Sequence, residues 1–202
     1  MFVKQAALVA AVVFLSACGG AGERPVTSTD RAVAAILLDH VDGTGAYVGP
    51  LEDYERQGMT NGAVLEWRPD QGQTLRLRAG VFTDSPLDLS EPECERLGER
   101  CTSESVGDST LYTVWESGEQ ETPGFALLAR LDADGSGALA GIEAKVEGGP
   151  DVALDNRRVS WADLREIVLD ESLTVSMGQQ VVDQGSDVEP FPYDPPGARD
   201  AG

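Results

Sequence analysis

The chain has 202 residues, with 15 Lys and Arg against 35 Asp and Glu, a net charge of −20, three cysteines and one histidine. So acidic a surface repels nucleic-acid phosphates and anionic headgroups, which excludes nucleic acid as a partner. One histidine and three cysteines also leave too few soft ligands for a zinc site of the His/Cys type. At the start of the chain, Lys4 precedes an uninterrupted apolar run from Ala6 to Leu15. Ten residues fall short of the roughly 20 needed to cross a hydrocarbon core. They match the apolar region of a secretory signal peptide. No other run in the sequence is long enough for a transmembrane helix.

The run ends in Leu15-Ser16-Ala17-Cys18. These four residues resemble the lipobox of bacterial lipoproteins. The resemblance implies cleavage before Cys18, diacylation of its sulfur and attachment to a lipid bilayer on the extracytoplasmic face of the cell membrane. The competing reading of Cys18 is a buried thiol in the first helix of a cytosolic protein. Each buried CH₂ contributes about 0.8 kcal/mol, so two or more acyl chains anchor stably where one does not. Without residues 1–17, 14 Lys and Arg remain against 35 Asp and Glu, so the body stands off the membrane with a charge of −21. The expected organisation is a signal peptide at 1–17, a lipidated tether at 18–27, one domain at 28–182 and a disordered Pro-rich tail at 183–202. That tail holds four of the eleven prolines and reads as solvated. Its "PFPYDPP" stretch is the alternative, a Pro-rich ligand for a partner.

Within the body, "TSTDRAVAAILLDHV" opens on capping residues and sets Val33, Ile36, Leu37 and Val41 on one helical face. Leu51 to Gln57 fits a short helical turn. "AVLEW", "RPDQGQ" and "TLRLRAGVF" predict a β-hairpin, with Leu75, Leu77 and Ala79 packed and Arg76 and Arg78 wet. Cys94 and Cys101 in "CERLGERC" are the even pair left in an oxidising compartment and predict a disulfide. So short a loop contributes about 2–3 kcal/mol at most. A redox pair or half of a metal site are the alternatives. Strands follow at "TLYTVWES", "GFALLARL" and "ALAGIEAKVE", the last with Ile142, Ala144 and Val146 inward and Glu143, Lys145 and Glu147 outward. "SWADLREIVLDE" predicts a helix capped by Ser160, burying Trp161, Leu164, Ile167 and Val168. "LTVSM" closes the body as a final strand or an extended segment. The expected fold is α+β, an antiparallel sheet of about five strands with an N-terminal and a C-terminal helix packed on one face. The body also loosely resembles small secreted lipoproteins of high-GC Gram-positive bacteria, through its first helix, the close cysteine pair and the "VSWADLREIVLD" helix.

Catalytic chemistry has little to stand on. His40, beside Asp39, is the only histidine available to activate a nucleophile and reads as a boundary residue without a task. No phosphate-cradling glycine motif is present. A hydrolase acting on envelope polymers through two carboxylates needs no further residue types, but 35 acids single out no pair. One segment has ligand spacing: "DADGSGALAGIE" places Asp132, Asp134, Ser136, the Ala138 carbonyl and Glu143 where an EF-hand loop holds calcium, with Gly137 at the sharp turn. Its flanks lack the two helices of that motif, and Asp, Gly and Ser are equally the residues of a hairpin turn. The functional expectation is a membrane-anchored, non-enzymatic binding or accessory domain for an envelope protein or ligand. A calcium-dependent module and the carboxylate hydrolase are the alternatives.

Overall fold

The computed structural model describes residues 26–53, 55–56, 58–68, 74–85, 91–117, 124–144, 150, 154, 158–189 and 191. In chain order the elements are β1 (Val26–Thr27), α1 (Asp30–His40), β2 (Tyr47–Pro50), β3 (Asn61–Trp67), β4 (Leu75–Phe82), α2 (Glu91–Leu97), β5 (Cys101–Val106), β6 (Ser109–Glu116), β7 (Gly124–Leu131), β8 (Gly137–Ala144), α3 (Trp161–Leu169), β9 (Ser176–Met177) and α4 (Gln179–Asp187). Seven strands form one antiparallel sheet in the order β2-β3-β4-β8-β7-β6-β5, and β1 pairs with β9 in a small separate ladder.

α1 starts where Thr29 Oγ1 accepts a hydrogen bond from the Ala32 N–H at 3.1 Å, satisfying one orphan donor of the first turn. Its stripe of Val33, Ile36 and Leu37 is buried, as the spacing predicts, and so are Ala32, Ala34 and Ala35. The extra burial has a cause: α1 lies on β3 while α4 packs against α1. α3 carries a full capping box. The Ser160 hydroxyl accepts from the Asp163 N–H at 3.2 Å, and Asp163 Oδ2 accepts from the Ser160 N–H at 2.7 Å. Leu164, Ile167 and Val168 face the sheet at β7 and β8. The main core lies between these helices and one face of the sheet, where Ala63, Leu65, Leu77, Ala79, Leu128, Ala140 and Ile142 gather.

The sheet has two more strands than the five expected. The extra ones are its edges, which explains why they escape a pattern search. β2 is four residues long and ends in Pro50; β5 reads Cys-Thr-Ser-Glu-Ser-Val, with exposed residues at 102–105. Short or polar edges are how sheets avoid pairing with other chains, and they carry no apolar alternation. The expected turn of helix after Leu51 is a single turn in which the Arg56 N–H donates to the Glu52 carbonyl at 2.9 Å. A larger correction concerns the tail. Residues 183–187 are not a free segment but the second half of α4. Gly185 is the residue of α4 that is buried, and a Cβ there would stand 2.6 Å from the Ala32 backbone nitrogen. The glycine is what lets the two helices touch. Residues 1–25, 192–202 and the outer part of "ALAGIEAKVE", including Lys145, Val146 and Glu147, lie outside the described residues.

Candidate functional site

Of the residues singled out by sequence, Cys18 lies outside the described residues. Cys94 and Cys101 are disulfide-bonded, with Cα atoms 5.2 Å apart. The bridge ties α2 to the start of β5 and sits with Tyr112 and Val114 in a small apolar cluster of its own, edged by Leu97, Phe125 and Leu131.

Asp132 to Ser136 form the hairpin turn between β7 and β8. The Gly135 N–H donates to the Asp132 carbonyl at 3.0 Å, the Asp132 N–H to the Ser136 carbonyl at 2.8 Å, and Gly135 takes the left-handed conformation at φ +87°. The carboxylates already have partners. Asp132 accepts from the Ser109 hydroxyl at 2.6 Å and pairs with Arg130 Nε at 3.1 Å. Asp134 accepts from the Ser136 hydroxyl and N–H, in that order of effect, and its carboxyl is thereby held below the usual range. Glu143 belongs to the far end of β8, where it pairs with Arg78 at 3.3 Å. Ala138 lies inside the ladder opposite Val81. A strand separates the twelfth position of the supposed loop from the first, so the ligand set does not converge. Among the described residues, no group of three or more His, Cys, Asp or Glu is placed to hold a metal ion.

This geometry has a thermal consequence. A calcium loop of extracellular type, with a dissociation constant of about 10⁻⁴–10⁻³ M, would add about 1.4 kcal/mol at tenfold excess. That is a rise of roughly 3–6 °C for a domain of this size. The expected result is the same small shift with calcium and with magnesium at equal ionic strength, from screening of the acidic surface alone. Differential scanning calorimetry reads it directly, and a calcium-specific rise of several degrees lost in Glu143→Gln would overturn the hairpin reading.

Two polar networks do converge. The first joins the C-terminal ends of two helices. His40, in the last turn of α1, sets Nε2 2.8 Å from Oδ2 of Asp170, the C-cap residue of α3. Burial pushes the Asp170 carboxyl up, but hydrogen bonds from His40 and from the Ser172 N–H, with the charge of His40, outweigh it and leave the group below its ordinary value. Beneath this pair, Arg130 lies buried in β7 and points its guanidinium at the end of α3. Nη1 donates to the Val168 and Asp170 carbonyls at 2.9 and 3.3 Å, and Nη2 to the Leu173 carbonyl at 2.8 Å. A cation there satisfies carbonyls that the helix leaves open and opposes the negative end of its dipole.

The second network covers the other face of the sheet. Arg76 and Arg78 of β4, expected to be wet, are 17% and 26% exposed. Glu55, 1% exposed, folds over them from the loop before β3. Its Oε1 stands 3.2 Å from Arg76 and 3.6 Å from Arg78. Glu66 and Glu143 flank the two arginines from β3 and β8 at 3.1 and 3.3 Å. Sequence reading missed Arg130, Glu55 and Glu66 altogether; for Arg130 and Glu66 the available signal was a charge inside an apolar strand, which has to be paired if it is buried. Carboxylate catalysis needs two carboxyls facing a cleft, one of them a proton donor. Here Glu55 and Glu66 are turned onto the same guanidinium. What these networks do chemically is hold elements together. Compared with protein-family models, curated proteins and solved structures, the chain matches none.

Proposed function

We propose that the protein is a lipoprotein anchored at Cys18 to the extracytoplasmic face of the cell membrane, carrying a non-enzymatic α+β domain that binds or supports an envelope partner. The observation that carries this reading is Leu15-Ser16-Ala17-Cys18 directly after ten apolar residues. The Cys94–Cys101 disulfide supports it, because such bonds persist in oxidising compartments. Among the described residues no helix is long and apolar enough to cross a membrane. The ion pairs of the body also favour a structural over a catalytic use of its buried charges.

The test is Cys18→Ala. The variant is expected to take up no labelled palmitate and to be left uncut or unacylated, while mass spectrometry of the unaltered protein finds an acylated Cys18 as its first residue. A mature protein starting elsewhere, or palmitate uptake by the variant, would refute the anchoring.

A further inference from the structure

The register of the sheet gives the domain two poles. Asn61, Phe82, Gly137, Leu131, Ser109 and Val106 share one end of the strands. Trp67, Leu75, Ala144, Gly124 and Glu116 share the other. The N-terminal side of the chain reaches the first pole. The Asn61 side-chain amide donates to the Ser28 carbonyl and hydroxyl, both at 2.8 Å, and the Gly62 N–H donates to Asp30 at 2.9 Å. The C-terminal side leaves from the same place, since Arg31 donates to the carbonyls of Ser186 and Val188 at the end of α4. All three tryptophans belong to the opposite pole. Trp67 ends β3 with Arg158 stacked 5.6 Å over its ring, and Trp115, near the end of β6, meets Trp161 of α3 edge to face at 6.4 Å.

We infer that the pole of Asn61 and Gly137 faces the lipid surface and that the tryptophan pole is turned outward, toward the envelope. The inference rests on anchoring at Cys18. Residues 18–25 reach at most about 28 Å when fully extended, and an eight-residue strand separates the poles by about 26 Å. Turning the tryptophan pole to the bilayer would use the whole reach of the chain laid flat along the domain. The near pole also carries the acidic turns of Asp84, Asp108, Asp132 and Asp134. Anionic headgroups repel it, so it stands over the bilayer without inserting.

The tryptophans make the orientation measurable. The acylated full-length protein is reconstituted into phosphatidylcholine vesicles containing a dansyl-headgroup lipid, and energy transfer from tryptophan to dansyl is recorded after flotation. Transfer from the three native tryptophans is expected to be weak. Asp134→Trp and Asp108→Trp each place one further donor on an exposed turn of the near pole, and each is expected to raise transfer severalfold. Native transfer as strong as that of both variants, in protein that co-floats, would overturn the orientation. Failure to co-float would overturn the anchoring and the orientation with it.

Discussion

Replacing Arg130 by leucine is expected to lower the unfolding free energy by about 3–5 kcal/mol, since each buried acceptor left unsatisfied costs about 1–3 kcal/mol. The guanidinium serves three carbonyls, those of Val168, Asp170 and Leu173, and contacts Asp132 at 3.1 Å. Leucine fills the space but donates nothing. The Val168 and Leu173 carbonyls are then left buried without this donor, the half-buried Asp170 carbonyl keeps the Leu173 N–H, and Asp132 loses its counter-charge. Domains of this size carry about 5–15 kcal/mol in all, so the variant keeps only part of its stability at room temperature. Lysine is expected to recover little, because a single ammonium cannot reach three acceptors in the plane of a guanidinium fork. Asp132→Asn should cost far less, since that side chain is 29% exposed and keeps the Ser109 hydroxyl. Urea denaturation followed by circular dichroism measures all three. A loss below about 1 kcal/mol for Arg130→Leu would show that water replaces the guanidinium and that the network is not a stabilising one.

How much of this was legible beforehand depends on the range of the interactions. α1 and α3 announce themselves because a cap and a stripe are recorded within a dozen residues: Thr29 with Val33, Ile36 and Leu37, and Ser160 with Leu164, Ile167 and Val168. The β3–β4 hairpin is equally local, its alternation of Leu75, Leu77 and Ala79 against two arginines giving the face directly. β7 is different. In "GFALLARL" both faces are apolar, so the alternation does not say that Ala126, Leu128 and Arg130 share the helix side. Nor does anything near Arg130 in sequence announce its acceptors, which lie 38 to 43 residues away. Glu55 was lost for the same reason. It stands in a loop without periodicity and meets its partners 21 and 23 residues later, on a strand whose alternation points its arginines to water. The edge strands and α4 failed on composition instead. Their residues are polar or glycine because they sit at a boundary or against another backbone, and such residues give no periodic signal. Motif spacing is the weakest witness. Asp132, Asp134, Ser136 and Glu143 have the separations of a calcium loop, yet the antiparallel ladder from Gly137 to Ala144 carries the last of them away from the others.

The second large effect is expected at Arg76, on the opposite face of the sheet. Its guanidinium is held among three carboxylates: Glu66 at 3.1 Å, Glu55 at 3.2 Å and Glu52 at 3.8 Å. The contact from Nε to Glu66 is off the N–H axis, so it acts as an ion pair and not as a directed hydrogen bond. Two of these carboxylates are nearly sealed from solvent, Glu55 at 1% and Glu66 at 9% exposure. Arg76→Met keeps the length and apolar stem of the side chain while removing the charge. Glu55 would then keep the Glu52 N–H at 2.9 Å and Arg78 at 3.6 Å, and Glu66 would keep Arg68, a side chain 60% exposed. Stranding buried carboxylates in this way costs about 3–5 kcal/mol. The reverse change should be milder. In Glu55→Leu both arginines keep another acid, Glu66 for Arg76 and Glu143 for Arg78, and both are exposed enough to reach water. The double variant Arg76→Met/Glu55→Leu is expected to be more stable than Arg76→Met alone, because the least solvated of the stranded charges has gone. Double-mutant cycles in guanidinium-free urea, with and without 1 M salt, separate this from surface pairing: exposed ion pairs fade at high salt, buried ones do not. If the double variant lost the plain sum of the two single losses, Glu55 and Arg76 would be uncoupled, and the ion pairs on this face would be no more than surface contacts.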